Sequence, residues 1–195
     1  MKKKQIHTLA TSQQATFELL VRPHAKALYH AAYQFTRSAE DAEDLVQDLF
    51  IKLYPRLDEL LKIERVKPWM MRVMYHLFID SKRRQLRSPL HLVDHHRSDD
   101  DQESSNTTEQ IADTEDTPEQ SLSRKYQQQQ LQAAIEQLSE DHQHIIILHD
   151  IEGYNHQELQ TILDSPAGTI KSRLHRARAQ LRAILEKIPS PDQPR

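Results

Sequence analysis

The chain has 195 residues, enough for one domain or two small ones, and its apolar fraction of 37% means that either its cores are thin or much of it is unstructured. It has no cysteine, which excludes disulfides, thiolate zinc sites and cysteine nucleophiles. A formal net charge of −3 would argue against nucleic acid if it were evenly spread, but it is not. Acidic residues concentrate from Glu40 to Glu59 and from Asp94 to Glu119, whereas Lys62 to Arg87 and Lys171 to Lys187 are basic. That segregation suits a DNA-binding protein with a separate acidic surface for a partner.

The first ten residues carry positive charge but no apolar run long enough for a signal peptide, and no stretch is long enough to span a membrane. The expectation is a cytoplasmic protein with no membrane insertion. With only two glycines, no alternating strand pattern and no internal repeat, everything on either side of a polar middle segment reads as helix, and the fold class is all-α.

In the first domain, placed at residues 10–87, Ser38 and Asp41 make a capping-box-like helix start. Ala42, Leu45, Val46, Leu49, Phe50 and Leu53 follow at helical spacing, and the helix is expected to run to about Tyr54, where Pro55 stops it. Its outer face carries Asp44, Gln47, Asp48 and Ile51, an isoleucine marooned among carboxylates, which suits a solvated acidic face or a partner surface. A second helix is expected from near Pro68, with Trp69, Met70, Met71, Val73, Met74, Tyr75, Leu77, Phe78 and Ile79 almost surrounding it, as in a buried central helix. It ends in the cationic run Lys82 to Arg87. Rings beside cations also meet the needs of an unstacked nucleic-acid strand, bases on the rings and phosphates on the charges.

Residues 88–117 are polar and acidic with little periodicity, and such a segment buries too little apolar surface to offset its ordering entropy. They are expected to form a flexible, disordered acidic linker between two small helical domains. The second domain, 118–188, opens at Pro118 with a glutamine-rich helix to about Leu138. Ser139 is then expected to cap a helix through Ile151 that Gly153 terminates.

A short helix from Asn155 to Leu163, a tight turn and a second helix complete the chain as a helix-turn-helix. Ser165 and Pro166 signal the start of the second helix, because serine accepts from free N–H groups and proline's φ suits the first helical position. At about 100° per residue, Ile170, Leu174, Ala177 and Leu181 share one side. Ser172, His175, Arg176 and Ala179 face the opposite way, flanked by Lys171, Arg173 and Arg178. Such a helix can lie in a major groove, with outer residues at base edges and flanking cations on phosphates. The alternative is a solvated basic face on an ordinary helical hairpin. It is weakened by Gly168, which leaves the helix start open to close approach by a phosphate.

With these residues in view, the chain resembles the extracytoplasmic-function (ECF) sigma factors of bacterial RNA polymerase, from about residue 12 to residue 186 outside the linker. The resemblance rests on Asp41-Ala-Glu-Asp-Leu-Val-Gln-Asp-Leu-Phe-Ile-Lys-Leu53, on Trp69-Met-Met-Arg-Val with Ile79-Asp80, and on Gly168-Thr-Ile-Lys-Ser-Arg-Leu-His-Arg-Ala-Arg178. It implies that Asp44, Gln47, Asp48 and Ile51 contact core RNA polymerase. It implies minus-ten recognition and melting at Trp69, Arg72, His76, Lys82, Arg83 and Arg84, and minus-thirty-five recognition at Thr169, Lys171, Ser172, Arg173, His175, Arg176 and Arg178. His76 stands where the family commonly has asparagine, and Leu61 to Lys67 lacks the glycine frequent in the base-capturing loop. Gln160 replaces a usually small residue, and Asp164 replaces a glycine in the turn, which should survive because aspartate tolerates left-handed backbone.

The resemblance further implies a dissociable specificity subunit, a monomer when free, acting in a stress response and controlled by an anti-sigma factor that clamps the two domains. A sigma mimic that binds only an anti-sigma factor would have a decayed basic face, and a regulator using only the second domain would leave the acidic helix without a purpose. No phosphate-cradling loop or nucleophile–base constellation appears, so neither an enzyme nor a cofactor is expected. His91, His95 and His96, or His142, His144 and His149, have some metal-ligand character, but solvated linker and surface histidines are the simpler reading, with no metal.

Overall fold

The structure, a computed structural model, describes residues 2–87 and 118–188, and side chains within 12–87 and 122–188. The expected linker, with His91, His95 and His96, lies outside the described residues. Every regular element among them is helical, as expected. Helix α1 (Lys2–Thr36) runs through Pro23 and ends where Arg37 turns left-handed at φ 60°, its N–H donating to the Tyr33 carbonyl at 2.8 Å. Ser38 then accepts from the Asp41 N–H at 3.2 Å and starts α2 (Ala39–Leu53), as its sequence indicates. Ala42, Leu45, Leu49 and Leu53 form its buried stripe. Pro55 diverts the chain into a tight turn over Tyr54–Arg56 and the single-turn α3 (Leu57–Leu60).

Helix α4 (Val66–Arg87) begins two residues before Pro68, where a missing N–H costs nothing because the first turn has no intrahelical acceptor for it. Met70, Met71, Met74, Tyr75 and Phe78 are buried, and Trp69, Val73, Leu77 and Ile79 pack partly covered around them. The helix is central, consistent with its nearly all-round apolar sequence.

The second half opens with α5 (Pro118–Glu136). The expected helix from Ser139 through Ile151 is present, with two differences. The Ser139 hydroxyl makes no cap bond, and after α6 (Glu140–Ile146) the helix widens into a π-helical turn over Ile147–Ile151, in which the Glu152 N–H reaches the Ile147 carbonyl at 2.9 Å. Gly153, at φ 75°, makes the exit as expected. Helix α7 (His156–Leu163) starts with a complete capping box. Asn155 Oδ1 accepts from the N–H groups of Gln157 and Glu158 at 2.9 and 3.0 Å, and Glu158 accepts from the Asn155 N–H at 3.0 Å. Substituting Asn155→Ala should therefore cost about 1 kcal/mol, read as a lower thermal midpoint without loss of helical signal below it.

The two halves pack on each other. Helix α4 lies against α7, α1 touches the π-helical turn, and one buried apolar cluster runs through both domains. At the junction sits His144, 4% exposed, so its expected place among surface histidines is corrected. The carrier helix points it inward with Ile145, Ile146 and Ile147.

Candidate nucleic-acid interface

The turn between α7 and α8 (Ala167–Leu185) depends on Asp164, which adopts φ 49° and ψ 48°. An L-residue other than asparagine or aspartate is disfavoured there, so the glycine replacement keeps the turn intact. The expected Ser165 cap is corrected. Pro166 occupies the cap position in extended conformation, α8 starts one residue later, and the Ser165 hydroxyl instead donates to the Leu163 carbonyl at 3.1 Å. The hydroxyl lies one position too far back to reach the first-turn N–H groups, which therefore have no side-chain acceptor. A side chain at Gly168 would meet no atom of the fold within 4 Å, so the open surface there is available to an outside group.

Ile170, Leu174 and Ala177 are buried on α8 and Leu181 is partly so, which seats the helix on α6 and α7. Thr169, Lys171, Ser172, His175 and Arg176 all face solvent. Arg176 is folded along its helix, its Nε donating to the Ser172 carbonyl at 3.3 Å, and Ser172 Oγ donates to the Thr169 carbonyl at 3.1 Å. The other two predicted readers are occupied within the domain. Arg173 is largely covered and pairs with Asp141 at 3.2 Å. Arg178 donates through Nε to Asp150 at 3.1 Å, and its Nη2 reaches both Asp150 and His149. Burial opposes ionisation of Asp150, but the bonds from Arg178 and His149 outweigh it and hold the carboxyl below its usual range. Beside this brace lies a cationic cleft of about 310 Å³ lined by His156, Lys171, His175, Arg178 and Arg182.

Helix α4 presents its predicted residues less freely. Trp69 is partly buried, with the Arg56 guanidinium 5.8 Å from its ring centre. His76 packs edge-on to Tyr75, while Arg83 and Arg84 are exposed. Arg72 reaches Asp164 at 3.7 Å, and Lys82 donates to Glu140 at 2.8 Å, so both are engaged by the second domain. On α2, Asp44, Gln47 and Asp48 are exposed, and Ile51 is 63% exposed. Phe17, Phe50 and Tyr54 brace this helix with edge-to-face ring contacts at 6.2 and 5.3 Å.

Sequence reasoning missed the junction. The His144 ring inserts edge-on between Phe35, Tyr75 and Phe78, with centroids 5.4, 5.4 and 5.5 Å away, and shares a 3.1 Å hydrogen bond through Nδ1 with the Tyr75 hydroxyl. Burial pushes its pKa down to about 4, and burial likewise pushes the Tyr75 phenol up to about 12. The Glu152 side chain, only 6% exposed, is met by His30 at 2.5 Å, a bond that raises the His30 pKa. No local pattern announces partners separated by 69 and 122 positions.

This is the architecture of a two-domain helical protein with a helix-turn-helix at one end and an acid-faced helix at the other. The pattern described as Sigma-70 region 2 matches residues 20–88, and that described as Sigma-70, region 4 matches residues 128–181. The ECF RNA polymerase sigma factor SigE of Mycolicibacterium smegmatis is 32% identical over 181 residues, 91% of this chain and 66% of that protein. The RNA polymerase sigma factor NccH of Alcaligenes xylosoxydans xylosoxydans is 30% identical over 178 residues, 91% and 90% of the two chains. The fold is shared with the sigma factor RpoE of Bartonella quintana, solved in complex with the anti-sigma factor NepR. That match has a TM-score of 0.64 at 23% identity and covers 89% of this chain and 98% of the other. The chain belongs to the sigma-70 family of RNA polymerase sigma factors, in its ECF branch. This is a family of non-catalytic transcription initiation factors. No helix among the described residues is long and apolar enough to cross a membrane.

Proposed function

We propose that the chain joins core RNA polymerase in the cytoplasm and directs it to promoters, gripping DNA at two points, with no catalytic group of its own. Residues 10–87 would carry polymerase binding and minus-ten recognition and melting, 88–117 would be the linker, and 118–188 would read the minus-thirty-five element. The observation that carries this reading is the division of α8 into a buried stripe of Ile170, Leu174 and Ala177 and a solvent-facing row of Thr169, Lys171, Ser172, His175 and Arg176. Side chains at base edges confer sequence choice, and flanking cations position the duplex. Arg173 and Arg178 fit a supporting role better than base reading, because their guanidinium groups are already committed to Asp141 and Asp150.

The exposed Asp44, Gln47, Asp48 and Ile51 row supports the polymerase contact, since an apolar anchor ringed by polar groups is the usual form of a binding hot spot. On the minus-ten side Trp69, Arg72, His76, Lys82, Arg83 and Arg84 remain the assigned contacts. Kinship with ECF sigma factors and the shared fold with one solved in an anti-sigma complex support control of a free monomer by such a partner, in a stress response.

Capture of core polymerase by the immobilised chain tests the reading. Asp48→Lys with Ile51→Asp should weaken capture at least about tenfold, because losing a central anchor costs at least 1–2 kcal/mol. Both side chains lie outside the core, so thermal unfolding should not change. Undiminished capture by a folded double variant contradicts the assignment.

A further inference from the structure

Trp69, the only tryptophan of the chain, has a partner from outside its own helix. Trp69, Arg72, His76 and Arg83 follow one another at spacings of three, four and seven residues, which sets them on one face of α4 with Trp69 first. Across the turn from Trp69 lies Arg56, which no sequence signal singled out. Pro55 diverts the chain there, and Arg56 leaves the helical range at φ −108° and ψ 23° before α3 begins. Its guanidinium carbon stands 5.8 Å from the centre of the Trp69 ring, within cation–π range. Glu59 holds the same group at its edge, where the N–H donors lie: Oε2 accepts from Nε at 3.0 Å and from Nη2 at 2.7 Å.

As a brace for the fold this arrangement does little. The Arg56 side chain is 46% exposed and that of Glu59 60%, and an exposed pair three residues apart contributes almost nothing to stability. What it fixes is the orientation of a flat cation, and nucleic-acid bases stack on guanidinium planes as they do on aromatic rings. A base cannot enter between Arg56 and Trp69. The two groups are at most 5.8 Å apart, whereas two stacking steps take about 6.8 Å at about 3.4 Å each. We infer that Arg56 is the outer layer of a three-part platform on which an unpaired base of the minus-ten strand stacks, with Trp69 beneath it and Glu59 at its edge. This rests on the reading of Trp69 as a minus-ten contact given above.

Three roles for Arg56 predict different outcomes. A stacking layer needs the guanidinium plane, so lysine, which keeps the charge and loses the plane, fails in its place. A phosphate contact needs the charge alone, and lysine would serve. A cover over the indole would have to be displaced by the base, and its removal would tighten binding. Stacking is also tolerant of sequence, because every base has a π-face, so the platform grips the opened strand without choosing it.

The test uses the full chain with core polymerase and a promoter fragment on which that holoenzyme initiates, mismatched across the minus-ten element so that the strand is already unpaired. An abasic nucleotide is moved along the nontemplate strand one position at a time. With the parent chain, one position should cost about tenfold in affinity, as loss of a stacked base does. Arg56→Lys and Arg56→Gln should both bind the intact fragment about tenfold more weakly and lose nothing further at that position. In the free chain the single tryptophan reports the cation directly, so Arg56→Gln should change its emission while the thermal midpoint stays in place. Parent-like binding by Arg56→Lys, tighter binding by either variant, full abasic sensitivity in Arg56→Lys, or an unchanged emission spectrum each overturns the platform. Absence of any sensitive position with the parent chain is a different failure: it removes the minus-ten reading of Trp69, and the platform with it.

Discussion

Lys171→Ala with Arg176→Ala should lower promoter-specific transcription at least about thirtyfold, since each good base contact is worth about 1–3 kcal/mol and 1.4 kcal/mol is a factor of ten. The reason is positional. Both side chains stand on the solvent face of α8, opposite Ile170, Leu174 and Ala177, so their removal takes nothing from the core. The thermal midpoint of the variant should match that of the parent. Arg178→Ala should behave in the opposite way. It strips Asp150 of its main partner and leaves a partly covered carboxylate, so stability falls together with activity. Run-off transcription and thermal unfolding measured on the same preparations separate reader from brace. Full activity of the double variant would remove α8 from base recognition.

Acid should open the junction. His144 has a folded-state pKa of about 4 against an ordinary 6.5, so between those values the exposed form of the residue binds more protons than the buried form. Stability therefore rises with pH across that window; this contribution is fully present above 6.5 and is lost as the pH falls towards 4. The loss should reach about 2 kcal/mol at pH 5 and approach about 3 kcal/mol below pH 4. The groups facing the ring explain the direction. Phe35, Phe78 and Tyr75 deny it water, which is the largest cause; Lys82 and Arg173 add repulsion, and Glu140 and Asp141 act against them.

Glu140, whose pKa is lowered chiefly by its bond from Lys82, works in the same direction further down. Its contribution is present above the ordinary carboxylate value and fades as pH falls through the lowered one. His30 works the other way. The Glu152 bond raises its pKa, so its contribution is full below 6.5 and fades as pH climbs through the raised value. The closed arrangement should thus be firmest near neutrality. Urea unfolding at pH 7 and pH 5, compared between the parent and His144→Gln, checks this; equal pH sensitivity of the two proteins contradicts the role given to His144.

Both predictions turn on features of very different legibility. The α8 surface could be read because helical geometry repeats locally: Ile170, Leu174 and Ala177 announce their own burial by spacing, and Ser38 and Asp164 act through bonds or dihedrals within a few residues. The same local reading misplaced Ser165, since a shift of one residue decides whether a hydroxyl reaches a free N–H. It also missed the π-helical turn at Ile147–Ile151, which follows directly on the buried Ile145 and Ile146 and itself begins with the buried Ile147 and Leu148. His144 looked like one of three surface histidines because its partners, Phe35, Tyr75 and Phe78, come from another domain. A closed junction made of pairs such as Lys82 with Glu140, 58 positions apart, leaves no trace in any window of sequence.

The most direct test of the account is reconstituted transcription. Core RNA polymerase with and without the purified chain is given a library of promoter fragments, and RNA 5′ ends are mapped. Discrete start sites that appear only with the chain, share spaced upstream and start-proximal elements, and vanish with Asp48→Lys and Ile51→Asp are the predicted result. The same scattered ends with and without the chain would contradict it.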